Sequence, residues 1–246
     1  MELWELSASE ITAKVRDRII SPVEVMEAFL DRINKLEPSL KAWVYLDPDQ
    51  AIAEAKRKET ELNSGKALGP LYGVPIGVKD IYYTAGIPTT ACSKVFANFI
   101  PEHDATTVST LKEAGAIIIG KTVTTEFACA DPSPTINPWN PHHTPGGSSS
   151  GSAVAVSSRM CPVALGSQTV GSVLRPASYN GLVGFKPNFG RVSRYGVIPV
   201  RYKYLPWYSI IFFASGCLFI RLFFKFKESF YKYIYKFITS KEVERI

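Results

Sequence analysis

Apolar residues recur at helical intervals through the first sixty positions. Val23, Met26, Leu30 and Ile33 repeat every three or four residues, which predicts one buried face. "SASE" (Ser7 to Glu10) and "SPVE" (Ser21 to Glu24) have the spacing of capping boxes, and Pro22 falls at a first helical position. "EP" at 37–38 predicts the end of that helix. "DPDQAIAEAKRKETELNSG" predicts a third helix from Asp47 to near Gly65. The period then changes. "YGVPIGVKD" reads as a short apolar strand, and "DATTVSTLKEAGAIIIGKT" as a helix, a glycine stop and a buried strand. From 132 to 151 the chain is loop-like and rich in proline. "SAVAVSS" opens a helix behind it, "PVALGSQTVGSVLRPAS" is a strand entering a turn at Gly171, and "GLVGFKPNFGR" is a further strand and turn. The alternation predicts an α/β class with a sheet flanked by helices. It divides the chain into a helical region, 1–65, an α/β core, 66–200, and a tail, 201–246.

The tail follows another pattern. Residues 205–220 carry few polar groups before Arg221 interrupts them, slightly short of the ~20 apolar residues that span a bilayer. Trp207 and Tyr208 at one end and Lys225 and Lys227 at the other resemble interfacial anchors, so 205–224 is a candidate membrane segment. The alternative is a tail without selected structure, such as an out-of-frame product of AT-rich DNA.

Charge sharpens that boundary. The net charge is +6, yet residues 1–200 hold 19 basic and 19 acidic side chains, while 201–246 hold 9 and 3. The body therefore shows no nucleic-acid footprint in its net charge. Cys92, Cys129, Cys161 and Cys217 are scattered without metal-ligand spacing, and a disulfide framework is not expected at this length. The acidic start "MELWELSASE" lacks the features of a signal peptide, so a cytoplasmic location is the default expectation.

The run "TPGGSSSGSA" carries the densest candidate chemistry. A linker is disfavoured by its apolar, strand-like flanks. A phosphate loop would need a closing Gly-Lys-Ser/Thr, and a dinucleotide fingerprint another glycine spacing. Hydroxyl chemistry remains, and a serine nucleophile needs a base. His103, His142 and His143 suit surface or structural roles better, since no serine lies in a G-x-S-x-G context. The other available base is a desolvated lysine. Lys79, at the end of "GVPIGVK", is a candidate on position, although a strand-end lysine is commonly solvated.

Three motifs in order, "GPLYGVPIGVKD", "TPGGSSSGSA" and "LGSQTVGSVLRPASYNGLVGFKP", resemble the amidase signature family of Ser–cis-Ser–Lys hydrolases. The resemblance covers about residues 5–199. It implies the family's fold, a mixed sheet flanked by helices, here incomplete on the C-terminal side. It implies Lys79 as base, Ser148 as the bridging serine after a cis peptide, and Ser172 as nucleophile. Neutral Lys79 would take a proton from Ser148, Ser148 one from Ser172, and Ser172 would attack an amide carbonyl to form an acyl-enzyme. Backbone N–H groups from Thr169, Val170, Gly171 and Ser172 would form the oxyanion hole, where one donor is worth about 3 kcal/mol. No cofactor or metal is implied; the partner is a small amide substrate and no nucleic acid directly.

Gln168, where many members have Asp, and Arg175, shifted by one place, resemble a malonamidase-like branch, in which that arginine can hold a substrate carboxylate; pairing with an acidic residue to stabilise the turn is the alternative for Arg175. An amidotransferase A-type subunit is the alternative enzyme. The third reading is an inactive remnant, held at a membrane by the tail. If the segment replaced after 199 is needed to bury Lys79, the amine reverts toward ~10.4 and cannot act as a base.

Overall fold

The computed structural model describes residues 2–65, 68–129 and 132–199, and the backbone of 209–214. Three helices open the chain: α1 (Ala8–Arg16), α2 (Pro22–Leu40) and α3 (Pro48–Asn63). Both capping boxes form. Ser7 N–H donates to Glu10 at 2.8 Å and Ser21 N–H to Glu24 at 2.7 Å, while each serine hydroxyl accepts the N–H three residues on. Helix α2 does not end at 37–38 as its Glu-Pro pair predicts. Pro38 lies inside the last turn, where the bond it cannot make to the Asn34 carbonyl and any kink fall at the helix end, and Lys41 closes the helix in a left-handed conformation. The Glu37 carboxylate then accepts the N–H groups of Ala42 and Trp43, leading the chain into β1 (Trp43–Leu46). The helical reading of the first sixty residues misses this strand, which is too short to show a period.

The expected strands follow as β2 (Pro75–Lys79), β3 (Ile117–Thr122) and β4 (Val163–Gln168), with helices α4 (Thr106–Glu113) and α5 (Ser150–Ser157) between them. A short helix, α6 (Leu174–Tyr179), stands where the sequence suggests only a turn, and β5 keeps just Val183–Gly184. Residues Ser209–Ala214 form β6. The apolar run read as a candidate membrane segment, or as unstructured, thus supplies a strand over these six residues. An apolar, β-branched and aromatic stretch suits a strand as well as a membrane; residues 205–208 and 215–224 of that segment lie outside the described residues. Among the described residues no helix is long and apolar enough to cross a membrane.

The six strands form one mixed sheet in the order β1-β3-β2-β4-β6-β5. Strands β3, β2 and β4 are parallel and central. Strands β1 and β6 pair antiparallel on either side, β6 running from Gln168↔Ser209 to Val163↔Ala214.

Helix α5 is the fold's central device. Its sequence, SGSAVAVS, is almost all small, and Ser150 through Val156 are buried. Small side chains let it lie close against β2, β3 and β4. Ser152 Oγ bonds Thr122 Oγ1 on β3 at 2.7 Å and donates to the Leu165 carbonyl on β4 at 2.8 Å. The closest approach is at Gly151, where a Cβ would sit 2.2 Å from the Ala42 carbonyl oxygen and 2.4 Å from the Val123 nitrogen. Both obstacles are backbone, so side-chain repacking cannot relieve them. Gly151→Ala is expected to lower the thermal midpoint by roughly 5 °C or more, or to prevent cooperative folding; differential scanning calorimetry checks it.

Candidate active site

The last residue of β2 points into the gap between the sheet and the N-terminus of α5. There Lys79 Nζ lies 2.8 Å from Ser148 Oγ, 3.0 Å from Ser149 Oγ and 2.9 Å from Ser167 Oγ. Lys79 is wholly buried and the three serines are at most 3 % exposed. The concern that the divergent tail leaves this amine wet is therefore not met by the structure. Among the described residues Lys79 has hydroxyl partners and no carboxylate. Burial without a counter-charge pushes its pKa down to about 7. The positive end of α5, whose N-cap is Ser149, also disfavours an ammonium there.

Counting protons constrains the arrangement. The Ser149 hydroxyl is 3.2 Å from the Ser167 carbonyl, its acceptor, and accepts the Ser167 N–H at 3.2 Å. Its single proton is thereby used, and towards Lys79 it can only accept. A neutral amine has two N–H groups and one lone pair, so Ser149 and Ser167 can take the two protons while the lone pair faces Ser148. Neither Ser149 nor Ser167 stands out in the sequence as a partner of the base. Ser167 lies one residue from the end of the strand beside β2, a signal that becomes readable once β2 and β4 are known to be neighbours.

The Gly147–Ser148 peptide is cis. Gly146 adopts φ +75°, and a Cβ there would lie 2.9 Å from Pro176 Cα, so this glycine is required by conformation and space. Thr125 N–H donates to the Ser148 carbonyl at 3.1 Å.

The loop after β4 brings Ser172 up to the serine run. Ser149 N–H donates to the Ser172 carbonyl at 3.2 Å. Gln168 shapes this loop: its Oε1 accepts the N–H groups of Val173 and Leu174 at 3.0 and 2.9 Å, and its Nε2 donates to the Val170 carbonyl at 3.1 Å. Thr169, Val170, Gly171 and Ser172 keep backbone N–H groups without hydrogen-bond partners among the described residues. Val170, a stiff β-branched residue, turns its side chain to solvent and is 86 % exposed. The structure brings Lys79 and Ser148 into contact; the Ser172 hydroxyl makes no hydrogen bond among the described residues.

Arg175 meets a carbonyl rather than an acidic side chain. Its Nε and Nη2 donate to the Gly147 oxygen at 3.1 and 2.6 Å, tying α6 to the cis peptide. It lines a cavity of about 240 Å³ with Thr125, Cys129, Gly147 and Tyr179. The three histidines stand apart from the serines: His103 stacks on Tyr195 at 5.3 Å, and His142 and His143 are exposed.

Comparison with known proteins shows the family. The family model described as Amidase covers residues 24–212. The chain belongs to the amidase family. The A-type subunit of glutamyl-tRNA(Gln) amidotransferase from Carboxydothermus hydrogenoformans is 47% identical over 204 residues, 80% of this chain and 42% of that protein. Native peptide amidase from Stenotrophomonas maltophilia superposes with a TM-score of 0.73 at 36% identity, over 79% of this chain and 42% of that one. A vestigial protein complex bearing on the origins of an s-triazine catabolic enzyme gives 0.81 at 32% identity, over 86% of this chain and 47% of its own. The chain thus spans less than half the length of these relatives.

A lowered lysine pKa has a consequence for stability. The unfolded chain binds a proton at Lys79 up to about 10.5 and the folded chain only up to about 7, so this site makes stability rise with pH between those values. Below pH 7 the fold must enclose a charge. Lys79→Met should therefore unfold at a temperature about 5 °C or more above the parent at pH 6, the gap closing toward pH 10. An unchanged midpoint at pH 6 in thermal melts would show the amine already solvated.

Proposed function

We propose that this member of the amidase family hydrolyses a carboxylic amide through Lys79, Ser148 and Ser172. The observation that carries the reading is a wholly buried amine 2.8 Å from the hydroxyl of Ser148. As a neutral base Lys79 takes the Ser148 proton, and Ser148 takes the proton of Ser172 as that oxygen attacks the carbonyl. The relay needs the Ser172 hydroxyl to turn to Ser148 when substrate fills the loop. The carbonyl oxygen becomes an oxyanion facing the unpartnered N–H groups of 169–172, held in shape by Gln168. The proton returns through Ser148 to the leaving nitrogen, ammonia or an amine departs, and water cleaves the acyl-enzyme by the same relay.

Arg175 borders the cavity beside Gly147, and in this reading it is the cation that meets a substrate carboxylate. Lysine and serines do the proton transfer, so no cofactor is called for. A second reading is favoured by the 47% identity to an amidotransferase A-type subunit: the amide is then glutamine, and the ammonia released is passed to a partner protein. Glutamine hydrolysis by the chain alone, compared with small aliphatic amides, separates the two.

A fluorophosphonate probe is expected to label Ser172. Ser172→Ala should abolish labelling, and Lys79→Ala should slow it by about 100-fold or more. Mass-spectrometric mapping of the adduct reads the result, and a folded parent that takes up no probe contradicts the reading.

A further inference from the structure

A second lysine is buried next to the first. Lys121 on β3 is opposite Val78, one residue before the base, and both Lys121 and Asp80 are wholly enclosed. Lys121 Nζ donates to the Tyr82 carbonyl and to Thr89 Oγ1, each at 2.6 Å, and sits 3.6 Å from Asp80 Oδ1. Every contact of the Asp80 side chain comes from a donor: Thr90 N–H at 3.1 Å to each oxygen, the Thr90 hydroxyl at 2.6 Å and Cys92 N–H at 3.2 Å. Such a shell favours a carboxylate: burial raises the Asp80 pKa, and Lys121 together with these donors pulls it back down. Lys121 hydrogen-bonds two acceptors, and as an ammonium it faces the Asp80 carboxylate as an ion pair at 3.6 Å.

Two arms run from this pair to the partners of Lys79. Lys121 holds the backbone of Tyr82, whose hydroxyl donates to the Gly166 carbonyl at 2.6 Å, one residue before Ser167. Asp80 holds residues 90–92. The Ala91 carbonyl there accepts the Phe127 N–H at 3.0 Å, and two residues earlier Thr125 binds the Ser148 carbonyl.

We propose that Asp80 and Lys121 form a positioning clasp for the base, in which Lys121 must stay an ammonium while Lys79 works as an amine. The proposal rests on the relay reading above. Loss of a proton from Lys121 to solvent leaves the buried Asp80 carboxylate without its counter-charge. The turn that aligns Lys79 with Ser148 and Ser167 then loses its anchor, and activity falls on the alkaline side. Burial draws Lys121 down to about 8, with Asp80 pulling the other way. The other groups facing the pair are Cys92 and Asp104. Burial raises the Cys92 thiol to about 11, and Asp104 is paired with Lys112 at 2.8 Å. Cys92 is also the titratable group facing Lys79.

The test is the pH dependence of the second-order labelling rate at Ser172 in the full chain, from pH 5.5 to 10.5. The parent should give a bell, rising near pH 7 and falling near pH 8. Lys121→Arg, which stays charged, should carry the alkaline limb beyond about pH 10 and leave the acid limb in place. Asp80→Asn, which removes the counter-charge, should draw the alkaline limb down onto the acid limb, narrowing the bell and lowering its maximum about twofold or more. If circular dichroism shows that Lys121→Arg does not fold, Asp80→Asn decides. An alkaline limb that is absent in the parent, or unmoved in the folded variants, overturns the clasp while the hydrolase reading stands on its acid limb. A parent that takes up no probe at any pH overturns both.

Discussion

An amine enclosed among hydroxyls, with no carboxylate among the described residues to neutralise it, is the constraint on which the rest of this structure depends. Burying an ionised lysine is costly, and proteins usually avoid the cost by pairing the charge or surrendering it. Here pairing is withheld. Ser148, Ser149 and Ser167 satisfy the amine as a neutral group, and the helix end beside it opposes protonation. Lys121, a short way along the neighbouring strand, is given Asp80 and keeps its charge. Two lysines on adjacent strands thus meet opposite electrostatic surroundings.

Meeting that constraint takes close packing more than specialised residues. The gap around Lys79 stays dry because α5 packs closely on the sheet, meeting the backbones of Ala42 and Val123 at Gly151, and it can do so because its sequence is Gly, Ala, Ser and Val. The serines at its start serve twice. Their hydroxyls contact the amine, and their backbones receive the loop that carries Ser172. Gln168 and Arg175 act on the same loop from its other side, one gathering the N–H groups behind Ser172 and the other binding the carbonyl before Ser148.

Much of this is legible in the chain because local signals agree with the global fold. The capping boxes at Ser7 and Ser21, the apolar strand ending in Lys79 and the glycine-serine run each announce themselves within about ten residues. What stays hidden depends on neighbours distant in sequence. Ser167 and Lys121 matter because of which strands lie beside β2, and pairing order is not written in any local period. Strand β1 is too short to register, and Pro38 is tolerable because it falls in a last turn. The run at 209–214 reads as lipid-facing or as unstructured, and its place as a strand beside β4 depends on a partner distant in sequence. For Arg175 the sequence offers a substrate carboxylate or an acidic neighbour, and the structure supplies a third partner, a backbone carbonyl.

The central claim is that Lys79 is a neutral amine at physiological pH because the fold keeps it dry. Its charge is directly observable by NMR titration of the lysine side-chain carbon next to Nζ in ¹³C-lysine-labelled protein, with the resonance assigned by its loss in Lys79→Arg. The account predicts a midpoint near pH 7. A midpoint near the ordinary ~10.4 of a solvated lysine would contradict it.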